Sequence, residues 1–157
     1  MLEAFLDSNR QVMIWKAAGM SDEAARTAPF GSDTSMIGLL QHLAIVERSW
    51  FQSFFDGQEV DYGYDFDADQ DAEWHLSGSE MLADAVAKYE GAIADANAII
   101  DGAALDDLSS KEGREGGNFS LRWIVIHMIE ETARHAGHAD ILREHLDGTL
   151  GYMPQFS

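Results

Sequence analysis

The chain has 157 residues, 46% of them apolar, enough for one folded domain over 1–157 with a proper core, which excludes intrinsic disorder. With 10 Lys+Arg against 28 Asp+Glu the formal charge is -18, which argues against nucleic acid as a partner, because phosphate binding rests on basic side chains displacing counterions. The absence of cysteine removes disulfides, thiolate ligands and any protein thiol nucleophile, so any catalytic sulfur must come from elsewhere.

The N-terminal stretch MLEAFLDSNRQVMIWKAAG lacks the basic start and unbroken apolar run of a signal peptide. No segment reaches the roughly 18 apolar residues that cross a bilayer, and a soluble, cytoplasmic protein with no membrane partner is expected. Leu2, Phe5, Leu6, Val12, Met13 and Trp15 share a broad apolar face, predicting a helix over about residues 1–18 that ends at Gly19. Ser21-Asp22-Glu23 opens a short helical turn that Pro29 closes. Thr34 or Ser35 then caps a second long helix, SMIGLLQHLAIVERSWFQSFFDG, stopped by Gly57.

Residues 57 to about 78 show no helical stripe and form the longest loop. Asp65, Asp67, Asp69 and Asp71 invite comparison with a calcium loop. Gln70 stands where glycine is needed and Leu76 where the bidentate glutamate is needed, so the stretch reads as a solvated acidic loop. A third helix is expected from Ser79, with Met81, Leu82, Ala85, Val86, Tyr89 and Ile93 turned inward and Gly102 beyond its end. SSKEGREGGNFS reads as a glycine-rich linker. The fourth and longest helix runs from Ser120 to Asp147 and stops at Gly148. No repeat occurs and almost nothing reads as strand. The expected class is all-α, a four-helix bundle with long crossover connections.

Four of the six histidines fall in the last helix, at 127, 135, 138 and 145. At about 100° per residue, His127, Glu131, His135 and His138 lie within an arc of roughly 80° that also holds Ile124 and Leu142, the stripe that should face the core. Glu131 and His135 are one turn apart and reach one point beside the helix, as paired ligands do in helical zinc sites. His42, one turn from Leu39 and from Val46, points inward from the second helix. His42, Glu131 and His135 would form a metal triad with open positions, accepting zinc foremost, or nickel or iron(II). The competing reading of His42 is a hydrogen-bonded core histidine. His138 and His127 are the candidates for orienting a ligand or moving a proton. His75 and His145 read as structural or surface residues, Trp15, Trp50 and Trp123 as core aromatics, and Arg134 and Arg143 as surface ion-pair residues. A ferritin-like di-iron centre is excluded, since Arg134 stands where its Glu-x-x-His motif needs histidine.

The segments SMIGLLQHLAIVERSWF and RWIVIHMIEETARHAGHADILREHLDG, with their L-x-x-H and E-x-x-x-H-x-G-H patterns, resemble the DinB/YfiT-like superfamily, and within it the DUF664 branch related to mycothiol-dependent enzymes. The resemblance covers nearly the whole chain. It implies a DinB/YfiT-type bundle whose metal is held by His42, Glu131 and His135. Many members have histidine at the Glu131 position, and the glutamate is similar to that of mycothiol-dependent maleylpyruvate isomerase. It also implies a low-molecular-weight thiol, mycothiol- or bacillithiol-like, attacking a small electrophile as thiolate.

The leading expectation is therefore a divalent-metal-dependent thiol S-transferase, or a mycothiol-dependent isomerase. The rivals are a non-catalytic metal-binding or stress-related bundle in which His138 closes the ligand set, and a bundle whose Glu131 and histidines only satisfy one another. A homodimer suits such a fold.

Overall fold

The computed structural model describes residues 1–151, and residues 152–157 of the expected domain lie outside the described residues. Helix α1 spans Leu2–Ala17 and ends just before Gly19, whose φ of 78° is one that glycine adopts without strain. Ser21 caps the short α2, Asp22–Arg26, by accepting from the Ala24 amide. Ser35 caps α3, Met36–Glu47, through the Gly38 amide. The expected single helix to Gly57 changes pitch on the way. Arg48–Phe55 is a π-helical segment, with the Asp56 amide donating back to the Phe51 carbonyl. The wider turn rotates the following face, and Phe51 and Phe55 both become buried.

Helix α4, Leu82–Asp101, begins later than the expected Ser79. The Glu80 carboxylate instead closes a turn of its own, accepting from the Ser77 amide at 2.7 Å and the Gly78 amide at 2.9 Å. The first turn of α4 is capped from α2, where Asp22 accepts from the Leu82 amide at 2.7 Å. Burial works against the Glu80 charge, but these hydrogen bonds outweigh it and hold the carboxyl at about 2. A depressed carboxyl stabilises the fold above its ordinary value and loses that contribution as pH falls through the folded one. Amide protection at Ser77 and Gly78 is therefore expected to fade between about pH 4.5 and 2. In Glu80→Gln it should be weak already at neutral pH, and hydrogen exchange checks both. The stability change should stay below about 1 kcal/mol for so exposed a group.

The stretch read as a linker holds a hairpin, which corrects the strand-free expectation. Strand β1, Leu108–Glu112, pairs antiparallel with β2, Asn118–Ser120. Gly116 and Gly117 turn the chain at φ of 84° and 81°. The strands carry mostly polar residues, so no apolar alternation announces them. Helix α5, Leu121–Asp147, matches expectation, with Ser120 capping the Trp123 amide and Gly148 in the left-handed region at φ 74°.

The described residues are thus mostly helical: five α-helices, one π-helical segment and one hairpin. Helix α1 lies along α5 and α3 along α4, with α5 also touching α3. One apolar cluster gathers Met13, Leu39, Leu43, Tyr89 and Leu142. The other gathers Leu6, Phe51, Ile100, Ile124 and Met128. Arg10 of α1, between Leu6 and Met13 in sequence, is 1% exposed. Two of the expected core aromatics are not core: Trp15 is 37% and Trp123 42% exposed. Arg10 and Lys16 are buried on α1 while Phe5 is exposed, so ion pairing, not polarity alone, decides which side of α1 faces inward. No helix among the described residues is long and apolar enough to cross a membrane.

Candidate metal centre

Helix α5 carries Glu131 and His135 one turn apart, and α3, which touches it, supplies His42. His42 Nε2 lies 3.4 Å and His135 Nε2 3.1 Å from the same oxygen, Glu131 Oε1. All three ligating atoms fall within 4.8 Å of one another. Ligands about 2.0–2.1 Å from a tetrahedral ion stand roughly 3.3–3.4 Å apart, so the two measured edges suit a first-row divalent cation.

The outer partners suit it as well. His42 Nδ1 faces Glu73 Oε1 at 3.2 Å, and the tautomer that donates from Nδ1 to that carboxylate is the one that would offer the Nε2 lone pair to a cation. His135 Nδ1 faces His138 Nδ1 at 3.3 Å. Arg134 Nη1 donates to Glu131 Oε2 at 3.0 Å, holding that oxygen while Oε1 faces the imidazoles. Burial and the neighbouring His42 hold the His135 imidazole below its ordinary range, against the opposing pull of Glu131, and this favours the neutral, ligating form. Burial opposes the Glu131 charge, but His135, His42 and Arg134 together bring its carboxyl below the usual range. Two lone-pair nitrogens and a carboxylate oxygen converging on one point are the donor set that a cation satisfies.

The acidic loop forms one wall. Trp74 stacks on the His42 ring at 4.9 Å between centroids, and Glu73 is 7% exposed, with its Oε2 buried and unpartnered. Two recesses lie beside residues that touch the trio: one of 270 Å³ lined by Trp74, Asp33 and Asp71, and one of 190 Å³ lined by His138, Phe30 and Ile141. Both are also lined by Ser32 and Thr34, so they adjoin each other, and they border His42 through Trp74 and His135 through His138.

His42, Glu131 and His135 come together as the spacing predicts, and His138 stands behind His135. His127 does not join them: it lies parallel to Trp123 at 5.3 Å and edge-on to Trp50 at 4.8 Å. His75 is a loop residue bonded to Asp69 at 2.6 Å, and His145 packs against Phe30. Arg143 reaches the Lys16 and Ala18 carbonyls, while Arg134 pairs with the carboxylate of the trio itself. Glu73 and Trp74 are contributions that sequence reasoning missed. Their one signal is the E-W pair near the end of the acidic loop, after a stretch in which aspartate alternates mostly with aromatic or small residues.

No curated protein matches the chain. Residues 1–148 match the sequence model of the family described as mycothiol-S-transferase. This match takes in every element described above, from α1 through α5, and the chain belongs to the mycothiol-S-transferase family.

Proposed function

We propose that this protein is a divalent-metal-dependent S-transferase that joins the sulfur of mycothiol to a small electrophile, with its four long helices arranged as a DinB/YfiT-type bundle. His42, Glu131 and His135 would hold the metal, zinc foremost. The observation that supports the reading is the convergence of their three candidate ligating atoms within 4.8 Å of one another in a chain without cysteine. When bound, a divalent cation lowers the pKa of a thiol brought against it, and the thiolate is the nucleophile.

The rest of the chemistry falls to the chain's own groups. Glu73 fixes the tautomer and the orientation of His42, and Arg134 keeps one Glu131 oxygen occupied so that the other faces the imidazoles. His138, exposed and beside His135 Nδ1, would carry the thiol proton to solvent. Trp74 excludes water from one side of His42. The apolar recess at Phe30 and Ile141 suits the electrophile's carbon skeleton, where the C–S bond forms as the leaving group departs.

The test is a bimane conjugation assay: zinc-loaded protein with monochlorobimane and, in parallel, mycothiol, bacillithiol or glutathione. Zinc-loaded protein is expected to accelerate mycothiol conjugation at least about tenfold over the uncatalysed rate, a modest demand on an enzyme. An equal rate with and without protein for mycothiol would overturn the reading.

A further inference from the structure

Gln41 and His42 are adjacent on α3 and so face directions about 100° apart. His42 turns to the trio. Gln41 and Arg48 turn to a separate cleft of 420 Å³ between α3, α4 and loop residues 61–64, which shares no lining residue with the trio. Its volume is in the range of sites that take small organic molecules.

Two cations face this cleft with donors to spare. Arg48 uses only Nε, on Gln52 Oε1 at 3.4 Å. Among the described residues neither Arg48 nor Lys88 forms an ion pair with a carboxylate, in a chain that carries 28 Asp+Glu. Two carboxylates also line the cleft, each accepting from a neutral donor: Asp61 from the Gly63 amide at 2.8 Å, and Asp95 from Gln52 Nε2 at 2.8 Å. Tyr62 forms an aromatic wall 5.9 Å from the Arg48 guanidinium carbon. Tyr64 is tied to α3 by donating to Gln41 Oε1 at 2.6 Å, which holds this loop against the helix. On the α4 side the cleft is lined by the exposed Gly91, where an added Cβ would meet nothing within 4 Å.

We infer that this cleft binds a small organic anion, a carboxylate or phosphate monoester borne on a single ring, its charged head toward Arg48 and Lys88 and its ring against Tyr62. Guanidinium and ammonium groups with unused donors are what such a head requires, and a ring face suits tyrosine. The inference stands apart from the proposed transferase activity, because it uses none of the residues of the trio.

The test is a ¹H–¹⁵N NMR titration of the full chain with benzoate and, separately, phenyl phosphate, with benzylamine as a cation of similar size. Saturable shifts are expected at residues 61–64 and 88–92 and at Arg48 Nε, with a Kd of about 1 mM for so small a ligand. The tighter of the two anions identifies the head group. Gly91→Leu fills the cleft, touches no neighbour at Cβ and replaces a helical glycine by a better helix former. It should fold at least as well as the parent and weaken binding at least about tenfold, as should Arg48→Gln, whereas His135→Ala should bind unchanged. The inference is overturned if neither anion gives saturable shifts there, if benzylamine binds as well, or if Gly91→Leu and Arg48→Gln titrate like the parent.

Discussion

His135→Ala and His42→Ala are each expected to yield a folded protein that no longer retains a divalent cation. Wild-type protein purified without a metal column should carry about one equivalent of metal by elemental analysis, one four-coordinate site being completed by solvent or substrate. Each variant removes one of the three ligating atoms that lie within 4.8 Å of one another, and the two that remain form an incomplete cage. Glu73→Gln provides the graded comparison. It touches only the far nitrogen of His42, and an outer partner of this kind typically changes metal affinity by roughly 10- to 100-fold without abolishing binding. Stability is a second readout. Metal at about 1,000 times its Kd adds about 4 kcal/mol to the native state, which for a domain of this size raises Tm by roughly 8–16 °C. That rise should be present in the wild type, smaller in Glu73→Gln and absent from both alanine variants. Full metal occupancy in His135→Ala would remove the trio from consideration, whatever the bimane assay shows.

The largest expected loss of stability lies elsewhere, in the pair between α1 and the end of α3. Arg10 donates through Nε to Glu47 Oε1 at 2.7 Å and through Nη2 to Oε2 at 2.6 Å. Its Nη1 donates to Asp7 and to Asn97 at 2.8 Å. Glu47 is 0% exposed. Burial pushes its carboxyl upward while the guanidinium pulls against that rise, so the charge on Glu47 depends on Arg10 staying in place. Arg10→Met leaves the buried Glu47 without its cation, and Glu47→Leu leaves the buried Arg10 with only Asp7 and Asn97 as partners. The expected cost is about 3–5 kcal/mol, or roughly 6–20 °C in Tm, read by thermal or urea unfolding. The double variant Arg10→Met/Glu47→Leu should recover most of that loss, because two apolar side chains remove both the attraction and the desolvation. A double variant as unstable as the sum of the singles would show that the network's further bonds to Asp7 and Asn97 matter more than the pair.

The two sites differ in how far they can be read from sequence. Glu131 and His135 are one helical turn apart, and the i, i+4 geometry of any α-helix places them side by side. His42 follows from the apolar residues around it, which turn it inward once α3 is helical. Glu73 has no such signature. It is one acid among the many of residues 59–80, and only the path of that loop across α3 brings it to His42. Arg10 and Glu47 are likewise ordinary surface residue types, and their burial follows from the packing of α1 along α5, which brings Arg10 to Glu47 at the end of α3.

The sequence alone therefore determined what depends on neighbours within a turn or two: the existence and order of the long helices, the caps at Ser120 and Gly148, the side-by-side placing of Glu131 and His135 on α5, and through the absence of cysteine that any reactive sulfur must come from a small molecule. Tertiary structure decided what depends on residues far apart in the chain. The capping of α4 by Asp22, the Glu73 and Trp74 wall, the Arg10–Glu47 pair and the exposure of Trp15 and Trp123 all belong there. The physical reason is that hydrogen bonds and side-chain directions within a helix follow from its fixed pitch. Contacts between elements depend on which of several apolar faces pack together, and here a buried ion pair and a folded-over loop settled that choice.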